Sequence, residues 1–444
     1  MHYNSQTTGK KPIIGLVNLG CAKNLVDAET MLGILDKSGY KISLDQNEAD
    51  IILVNTCSFI KEAEKESVKA IVNIAESGKK LIITGCLAQK YKNELIEAVP
   101  EALAIVGTGD IDKIGEIVEK LSNNEKSIYE VSETPDYLYK GDIDRFQITV
   151  GSSCYIKIAE GCDYSCAFCI IPSLRGKYRS RTIESVVEEA RKLGKKGVTE
   201  IVLIAQDTSS YGKDIYGKAS LSLLLEKLNE VKEISWIRIM YTYPSMVNDD
   251  LINAIANLDK VVKYIDIPLQ HSHPEILALM DRPSFDYTIL IEKLRNKIPN
   301  IAIRTAFITG FPGETEEHFE HLYKFIEKSK FDRLGVFEYS KEKNTKSYGL
   351  KPQISSKIKK SRRKALMQLQ QAISKKINES FIGKSIPVLV ESLEAGKIIG
   401  RSYRDAPEID GLIYINSKTP LFPGDIISVS ITHASEYDLY GNAI

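Results

Sequence analysis

Three closely spaced cysteines are the residues of this sequence whose types and spacing point most directly to chemistry. Cys162, Cys166 and Cys169 form a C-x-x-x-C-x-x-C array directly after a predicted strand at 155–159. Three thiolates at this spacing can hold an iron–sulfur cluster while one of its irons keeps no protein ligand. An iron with an open position can bind and activate a small molecule, so the array predicts a reactive metal centre.

Two other uses of these cysteines fit the sequence less well. A structural zinc ion needs four ligands, and no histidine or further cysteine follows Cys169 within reach of a local fold. A disulfide framework is disfavoured because seven cysteines in 444 residues are an odd and sparse number for a secreted scaffold. The sequence therefore favours the iron–sulfur cluster over both alternatives.

Three more cysteines occupy equivalent positions near the start of the chain. Cys21, Cys57 and Cys86 each follow a short apolar run and precede a helix-like segment. Open α/β sheets collect their ligands outside the carboxyl ends of the strands, so these cysteines are expected to meet at one edge. A single cysteine is often core filler, but three in the same position predict a second three-cysteine metal site.

The periodicity of the sequence predicts three parts that position these cysteines. From about residue 12 to 121, apolar runs alternate with helical patterns, as in a parallel α/β sheet, and a polar connector follows at 122–147. Six further strands, each followed by a helical pattern, predict a partial barrel. Those strands are predicted at 155–159, 200–207, 236–243, 264–271, 302–310 and 333–340.

The last 64 residues read as short strands with Pro and Gly turns between them. Strands are predicted at 385–391, 397–402, 412–415 and 426–432. Short strands at close and regular spacing are typical of a small β-barrel of the OB type.

The composition is that of a folded intracellular enzyme. The chain carries 59 basic and 59 acidic residues, and 43% of its residues are hydrophobic, which excludes a disordered chain. Its first residues lack the apolar stretch of a signal peptide, and no segment reaches the roughly 20 apolar residues that span a bilayer. Free thiols that bind iron persist in a reducing compartment, so a cytoplasmic location without membrane attachment is expected.

The charges are distributed unevenly near the end of the chain. Between Lys351 and Ser380 nine basic residues accompany one acidic residue, whereas five basic residues face eight acidic ones from Phe381 onward. A solvated helix face is the ordinary meaning of such a basic run, and nucleic-acid contact is the alternative. The acidic excess predicts that the C-terminal barrel binds a cationic protein, with Asp405, Glu408 and Asp410 contributing to that surface.

These features resemble the radical S-adenosylmethionine (SAM) superfamily. The three-cysteine domain before the barrel and a TRAM-like barrel after it narrow the resemblance to the methylthiotransferases, over nearly the whole chain. Within that group, five strings of this sequence look like the RimO branch. They are IKIAEGC at 156–162, IIPSLRGKYRSR at 170–181, LIAQDT at 203–208, DIPLQH at 266–271 and DAPEIDG at 405–411.

The resemblance implies an α/β fold with three domains. It predicts an N-terminal three-cysteine α/β domain at 12–128, a partial (β/α)6 radical SAM barrel at 148–375 and a small OB-like TRAM barrel at 379–444. It also implies an activity, the transfer of a methylthio group to the β-carbon of an aspartate in ribosomal protein S-twelve of the small subunit. The alternatives left open are a MiaB-like transferase that modifies a tRNA adenosine and a non-catalytic iron–sulfur carrier.

The implied cofactors are two 4Fe-4S clusters and SAM. Cys162, Cys166 and Cys169 would hold the cluster that chelates SAM, from which one electron releases a 5′-deoxyadenosyl radical. Cys21, Cys57 and Cys86 would hold the auxiliary cluster, whose open iron carries the added sulfur. An aspartate β C–H bond is too weakly acidic for an ordinary side-chain base, which is why a radical is needed. The implied partners are ribosomal protein S-twelve, alone or within the small subunit, and an electron donor such as flavodoxin or ferredoxin.

Further contacts with SAM are predicted at the ends of the barrel strands. Gly310, Gly313 and Glu314 resemble the glycine-rich SAM contact of the superfamily, where glycine lets the backbone approach a ligand; an ordinary strand-to-helix turn is the alternative. Gln206 and Asp207 end the second strand, where a contact with SAM and a structural role are equally open. Phe168 would pack against the adenine or merely shield the cluster. No catalytic residue is assigned beyond the cluster ligands. A structural role is favoured for His271 and His273, and the loop at 341–346 departs from the RimO pattern, which puts its substrate contacts in doubt.

Overall fold

The computed structural model of the protein describes residues 11–123, 125, 127–148, 151–394 and 396–444. The chain divides into two compact units. The first unit is the chain up to Ile148 together with Ile171–Lys177, and the second is the remainder. Among the described residues, no helix is both long enough and apolar enough to cross a membrane.

The first unit is an α/β structure with a fully parallel sheet. Its strands are β1 (Ile13–Asn18), β2 (Lys41–Ser43), β3 (Ile51–Thr56), β4 (Lys80–Gly85), β5 (Ala102–Val106) and β6 (Ile128–Glu130). Its helices are α1 (Ala22–Lys37), α2 (Lys61–Glu76), α3 (Cys86–Lys90), α4 (Lys92–Ala98), α5 (Ile114–Ser122) and α6 (Ile171–Arg175), with a 3-10 turn at Ile111–Lys113. The strand order is β2-β1-β3-β4-β5-β6.

Alternating side chains of the central strands bury this sheet on both faces. Leu53 and Ile82 belong to one apolar cluster, which α1 and α5 complete. Their neighbours Ile52 and Ile83 belong to a second cluster, which α2 and α3 complete. Successive residues of a strand point to opposite faces, and strands covered on both faces are apolar throughout. The α/β prediction for this part of the chain is therefore confirmed.

The second unit begins with the strands of the barrel and their helices. Its strands are β7 (Ser153–Lys157), β8 (Ala159–Glu160), β9 (Arg179–Ser180), β10 (Glu200–Ile204), β11 (Trp236–Ile239), β12 (Tyr264–Asp266), β13 (Ala302–Thr309) and β14 (Arg333–Glu338). Its helices are α7 (Ile183–Lys195), α8 (Lys213–Tyr216), α9 (Leu221–Asn229), α10 (Asp249–Asn257), α11 (Pro274–Leu279), α12 (Tyr287–Lys297) and α13 (Glu316–Ser329), with 3-10 turns at Pro244–Met246 and Lys346–Gly349.

Six of these strands form an incomplete parallel barrel, as predicted. They make two three-stranded sheets, β11-β10-β7 and β12-β13-β14. A parallel bridge between Ile237 and Val261 continues the ladder of β11 toward β12. In the described part of the chain no strand pairing joins β14 to β7. The predicted strands at 200–207, 236–243 and 264–271 were too long, because β10, β11 and β12 end at Ile204, Ile239 and Asp266. Beyond β12, Gln270 still makes a parallel bridge to Phe307 of β13.

A long helix leads from the barrel to the C-terminal barrel. The helix is α14 (Ser356–Glu379), and the five strands that follow it close in the order β15-β16-β17-β19-β18. The strands are β15 (Ser385–Glu394), β16 (Lys397–Ser402), β17 (Ile413–Asn416), β18 (Ile426–Ala434) and β19 (Leu439–Ala443). The predicted small β-barrel is confirmed. Its fifth strand, β19, is absent from the sequence prediction because Gly441 and Asn442 interrupt its apolar pattern.

Buried charged groups attach the C-terminal barrel to the amino-terminal ends of the six parallel strands. The Nη2 atom of Arg401 lies 2.5 Å from Oε2 of Glu200, and Nε of Arg238 lies 2.8 Å from the other carboxylate oxygen. All three side chains are 0% exposed. Burying charges costs free energy unless they are paired and hydrogen-bonded, and here both conditions hold.

Asp405 and Asp410 belong to the same interface. Arg333 pairs with the Asp405 carboxylate, and the Tyr264 hydroxyl donates to Asp410 at 2.8 Å. Burial alone would raise the pKa of Asp405, but Arg333 and Arg404 outweigh burial and hold the pKa below its usual value. The prediction that Asp405, Glu408 and Asp410 contribute to a surface for a cationic protein is therefore wrong for the two aspartates; only Glu408 is exposed.

Candidate functional site

The C-x-x-x-C-x-x-C loop lies at the carboxyl edge of the partial barrel. It leaves β8 at Gly161, whose φ of +82° favours glycine. The loop is fixed by backbone hydrogen bonds, from the Cys169 N–H to the Cys166 carbonyl at 3.0 Å and from the Ala167 N–H to the Met280 carbonyl at 2.9 Å. The three cysteines are half-buried and form no disulfide.

An aromatic and cationic layer flanks this loop. The rings of Tyr164 and Tyr243 stack with centroids 3.7 Å apart, and the Arg282 guanidinium lies 4.3 Å from the Tyr243 ring centroid. Nη1 of Arg282 lies 3.9 Å from Sγ of Cys166. Sequence reasoning missed Arg282, because nothing in its local sequence links it to a cysteine 116 residues earlier.

Gln206 follows β10 and lies beside the residue that precedes the loop. Its amide nitrogen donates to the Glu160 carboxylate, whose other oxygen binds Nζ of Lys157 at 2.5 Å. Its amide oxygen Oε1 is buried and has no hydrogen-bond partner among the described residues. Buried polar atoms are rarely left unpaired, so this oxygen calls for a donor that the described residues do not supply. The neighbouring Asp207 carboxylate accepts from the Ser209 and Ser210 hydroxyls, which gives it a structural role.

The glycine-rich turn after β13 has a conformation that requires its glycines. Gly310 and Gly313 have φ of +70° and +86°, and a Cβ at Gly310 would lie 2.3 Å from Cγ of Lys359. The Glu314 side chain is 0% exposed; it accepts from the Gly310 N–H at 2.9 Å and from Nη1 of Arg362 at 2.6 Å. These contacts give the Glu314 carboxylate a structural role in the turn, and its predicted contact with SAM stays a prediction.

Phe168 lies between two of the loop cysteines in the sequence. It is half-buried and makes an edge-to-face contact with Phe311, with ring centroids 6.5 Å apart. It thereby belongs to a small apolar cluster with Ala167, Ile276 and Met280. Its predicted contact with adenine and the alternative of shielding the cluster both stay predictions.

The other three cysteines follow three neighbouring strands of the first unit. Cys21 caps the start of α1 after β1, Cys57 follows β3, and Cys86 begins α3 directly after β4. β1, β3 and β4 are adjacent in the sheet, so the shared carboxyl edge brings the cysteines together as predicted. Cys21 is exposed, and Cys57 and Cys86 are buried. Gly20, with φ of +100°, allows the close approach, because a Cβ there would lie 2.9 Å from Sγ of Cys57.

A buried arginine binds the same edge of this sheet. Nη2 of Arg175, on α6, donates to Sγ of Cys86 at 3.3 Å and to Oδ1 of Asn24 at 2.6 Å, while Nη1 pairs with Asp27. The Asn24 side chain in turn donates to the Thr56 carbonyl at 2.8 Å. Sequence reasoning quoted Arg175 only as part of a family string. Its contact arises because 171–177 packs with the first unit, and no sequence pattern indicates that.

The chemistry of both trios fits an iron–sulfur cluster. Burial raises the pKa of Cys57 and of Cys162 to about 11, so each would be a neutral thiol without a cation beside it. Burial also raises the pKa of Cys86, and Arg175 opposes that effect. Cysteine binds metal as the thiolate, which the charge of a bound metal stabilises.

The spacing of the sulfur atoms also disfavours a single ion. Among the described residues, three potential ligand atoms lie within 4.8 Å of one another only at His273, Glu275 and His318. In neither cysteine trio do the three sulfur atoms therefore lie close enough together to bind one ion. In a four-iron cluster each cysteine binds a different iron, so its ligand sulfur atoms need not converge on one point.

The histidine group itself is better explained by hydrogen bonding than by a metal. Nδ1 of His273 accepts from the Glu275 N–H at 3.3 Å, and Nδ1 of His318 accepts from the Thr315 N–H at 3.2 Å. In a neutral ring the proton then lies on Nε2, and Nε2 of His318 lies 3.2 Å from the Glu275 carboxylate. His271 likewise accepts the His273 N–H at 3.0 Å. These bonds leave no ring lone pair directed at a shared ion and agree with the structural role predicted from the sequence.

Comparison with protein families assigns each part of the chain. Residues 14–107 match "Uncharacterized protein family UPF0004", residues 156–326 match the radical SAM superfamily, and residues 382–444 match the TRAM domain. Among solved structures, the fold is similar to the radical SAM methyltransferase TsrM of Kitasatospora setae. The TM-score is 0.55 at 14% identity, over 74% of this chain and 72% of the other.

Curated relatives match the chain over nearly its whole length. The chain is 48% identical over 437 residues to "Ribosomal protein uS12 methylthiotransferase RimO" of Rippkaea orientalis, covering 98% of this chain and 96% of the relative. It is 49% identical over 434 residues to the protein of the same name from Caldanaerobacter subterraneus, covering 96% and 99%. Because identity of this extent covers nearly the whole chain and therefore all three parts, the chain belongs to the RimO family of methylthiotransferases in the radical SAM superfamily.

Proposed function

We propose that the protein transfers a methylthio group to the β-carbon of an aspartate in ribosomal protein uS12, using SAM and two 4Fe-4S clusters. The observation that carries the proposal is the pair of three-cysteine sets, each at the carboxyl edge of its own parallel sheet. A single cluster with an open iron would account only for formation of the radical. A second set in another unit gives the enzyme a separate place to hold the sulfur that is transferred.

In this proposal Cys162, Cys166 and Cys169 bind the cluster that coordinates SAM. When bound, that cluster and SAM supply a carbon radical able to remove hydrogen from an unactivated C–H bond. The protein's residues position and shield this chemistry. The Gln206 amide oxygen offers SAM a hydrogen-bond acceptor, and Gly310 and Gly313 let the backbone approach it. Phe168 and the stacked Tyr164 and Tyr243 limit the access of water to the loop.

Cys21, Cys57 and Cys86 would bind the auxiliary cluster. Two features of the first unit support this assignment. Gly20 leaves room beside Cys57 that any larger residue would fill. The Arg175 guanidinium donates to Cys86, and hydrogen bonds to cluster sulfurs are one of the means by which proteins set the potential of an iron–sulfur cluster.

The substrate assignment rests on the relatives, whose name specifies ribosomal protein uS12. The alternative of tRNA modification is not favoured, because relatives that are named for uS12 and are covered over nearly their full length occur in several organisms. A non-catalytic cluster carrier would have no need of the partial barrel or of the turn after β13. We propose domain limits at 12–128, 148–375 and 379–444, a cytoplasmic location, and a flavodoxin or ferredoxin as electron donor.

Anaerobic reconstitution of two matched sets of variants tests the proposal. The native enzyme should hold about eight irons as two four-iron clusters. Replacement of Cys162, Cys166 and Cys169 by Ala should remove about half of the iron and abolish formation of 5′-deoxyadenosine. The Cys57→Ala, Cys86→Ala variant should still cleave SAM but should add no methylthio group to uS12, as measured by mass spectrometry. Methylthiolation of tRNA instead of uS12, or SAM cleavage by the first variant, would refute the proposal.

A further inference from the structure

The exposed face of α14 carries a row of lysine and glutamine side chains. Lys357, Lys360 and Lys364 follow one another at helical spacings of three and four residues, and Gln368, Gln371 and Lys375 continue the row. Residues at this spacing lie on one face of a helix. All six side chains are exposed. With a rise of about 1.5 Å per residue, the row extends over about 27 Å.

The basic residues of α14 differ in what they contact. Arg362 is buried and pairs with Glu314 and Glu316, and Lys375 pairs with Glu436 at 3.5 Å. Lys357, Lys360 and Lys364 have no ion pair within the part of the chain that the structure describes. Arg362 and Lys375 thus have charged partners within the protein, whereas the first three lysines of the row have none among the described residues.

A cleft runs beside this row. Its volume is about 550 Å³, and its lining includes Lys360, Arg363 and Lys364 of α14, with Glu338 as its one acidic residue. On the side of the C-terminal barrel the cleft is bounded by Tyr437, which is 50% exposed. The cleft therefore combines cations, the amides of Gln368 and Gln371, and an aromatic ring with an accessible face.

We infer that this cleft, the α14 cleft, binds single-stranded RNA. Cations that track a phosphate backbone, together with an aromatic ring on which a base can stack, are the means by which proteins bind single strands. Glutamine side chains add hydrogen bonds to phosphate, sugar or base edges. The inference rests on the proposed function, because a ribosomal protein is surrounded by RNA. An acidic protein would satisfy the lysines equally well but would leave the exposed ring and the amides without a purpose.

The α14 cleft would give the enzyme a second point of attachment to its target. The substrate protein binds RNA and is therefore cationic, so a cationic cleft repels it and attracts the RNA beside it. Recognition of the assembled small subunit would then divide between two surfaces. The site at the carboxyl edge of the barrel would engage the aspartate, and the α14 cleft would engage the neighbouring strand of RNA.

The reconstituted full-length enzyme can be tested with a fluorescein-labelled single-stranded RNA of twelve nucleotides, by fluorescence anisotropy over a range of salt concentrations. Lys360→Gln, Lys364→Gln should raise the Kd about tenfold and reduce the slope of log Kd against log salt by about 1.4, which is two phosphate contacts on a single strand. Tyr437→Ala should raise the Kd about tenfold through lost stacking and leave the slope unchanged. Lys195→Gln, Lys196→Gln removes two exposed lysines from α7 and its end, and should change neither quantity.

A second measurement separates this inference from the proposed function. All of these variants should cleave SAM and modify isolated uS12 like the native enzyme, whereas modification of the assembled small subunit should fall in the cleft variants. Equal Kd values for the cleft variants and the α7 control would overturn the inference while leaving the function intact. The inference would also be overturned if a poly-glutamate peptide bound as tightly as the RNA and if Tyr437→Ala did not change the Kd for that peptide. That result would identify an acidic protein as the partner. Failure of the native enzyme to modify uS12 both as the isolated protein and within the assembled small subunit would instead refute the function.

Discussion

Replacement of Glu200 by Gln should weaken the attachment of the C-terminal barrel without touching the cysteines. Burial would raise the pKa of Glu200, but the guanidinium groups of Arg238 and Arg401 outweigh burial and lower it from 4.5 to about 2. At about 1.4 kcal/mol per pKa unit, this difference favours the ionised folded state by about 3 kcal/mol. Removing one partner of a buried ion pair costs about 3–5 kcal/mol in measured cases. Glu200→Gln should therefore lower the free energy of unfolding by about 3 kcal/mol at neutral pH.

The structure supplies its own probe for this experiment. Trp236 is the only tryptophan of the chain, is 8% exposed, and lies opposite Glu200 in the pairing of β10 with β11. Its fluorescence should follow guanidinium unfolding at the end of the barrel where the change is made. Glu188→Gln is a matched control, because its exposed pair with Arg191 at 3.7 Å should contribute no more than about 0.5 kcal/mol. Glu200→Gln, Arg401→Met should recover part of the loss, since it leaves fewer unpaired buried charges.

The pH dependence provides a further check on the same reasoning. A carboxyl whose folded pKa is depressed contributes stability that is fully present above its unfolded pKa, here about 4.5, and is lost as the pH falls toward the folded value of about 2. The difference in unfolding free energy between the native protein and Glu200→Gln should therefore be constant near neutral pH and narrow below about 4.5. A difference under about 0.5 kcal/mol at neutral pH, the scale of a surface pair, would refute the argument.

Two further predictions concern the cysteine sites. Arg175→Met removes the N–H donor and the positive charge beside Cys86, so the auxiliary cluster should become harder to reduce. An EPR-monitored redox titration in the Cys162, Cys166, Cys169 to Ala background should show a more negative midpoint potential, and Arg175→Lys should give an intermediate value. An unchanged midpoint potential would contradict this role of Arg175. Gln206→Ala removes a buried acceptor for which the described residues offer no donor, and should raise the Kd for SAM about tenfold, the worth of one hydrogen bond to a charged ligand, with the iron content unchanged. Equal SAM affinity in the two proteins would exclude Gln206 from the SAM site.

The sequence predicted the elements and both cysteine trios because their signals are local. A parallel strand such as β3 is buried throughout and therefore apolar throughout, and a cysteine at its end stands out. The strand limits at 200–207 and 264–271 were less accurate, since apolar residues such as Ala205 and Ile267 are buried in the loops as well as in the sheet. Apolar character alone does not distinguish a buried strand from the buried loop that follows it.

The residues that sequence analysis missed depend on contacts between distant parts of the chain. Arg175 reaches Cys86 across 89 residues, and Arg282 reaches Cys166 across 116. The same limit explains the error at Asp405 and Asp410. A net acidic count describes a surface only if the charges lie on the surface, and these two carboxylates are buried by arginine and tyrosine partners that the barrel strands provide. A count of charged residues therefore describes the charge of a surface only after the buried ion pairs have been subtracted.

In the barrel strands, the residues that stabilise the fold and the residues proposed to contact SAM lie at opposite ends. Glu200 begins β10 and is bound by Arg401, whereas Gln206 follows the same strand and lies next to the cysteine loop. Similarly, Nε of Arg304 near the start of β13 lies 3.5 Å from the Asp410 carboxylate of the C-terminal barrel, and Gly310 follows the end of β13. In parallel barrels the carboxyl ends of the strands carry the active site and the amino ends serve stability. It follows that Glu200→Gln, which should cost about 3 kcal/mol of stability, should leave the Kd for SAM unchanged. Gln206→Ala should instead raise the Kd for SAM and leave the free energy of unfolding unchanged. A change of SAM affinity in Glu200→Gln below its unfolding transition would mean that the two ends of the strand are coupled and that the division is wrong.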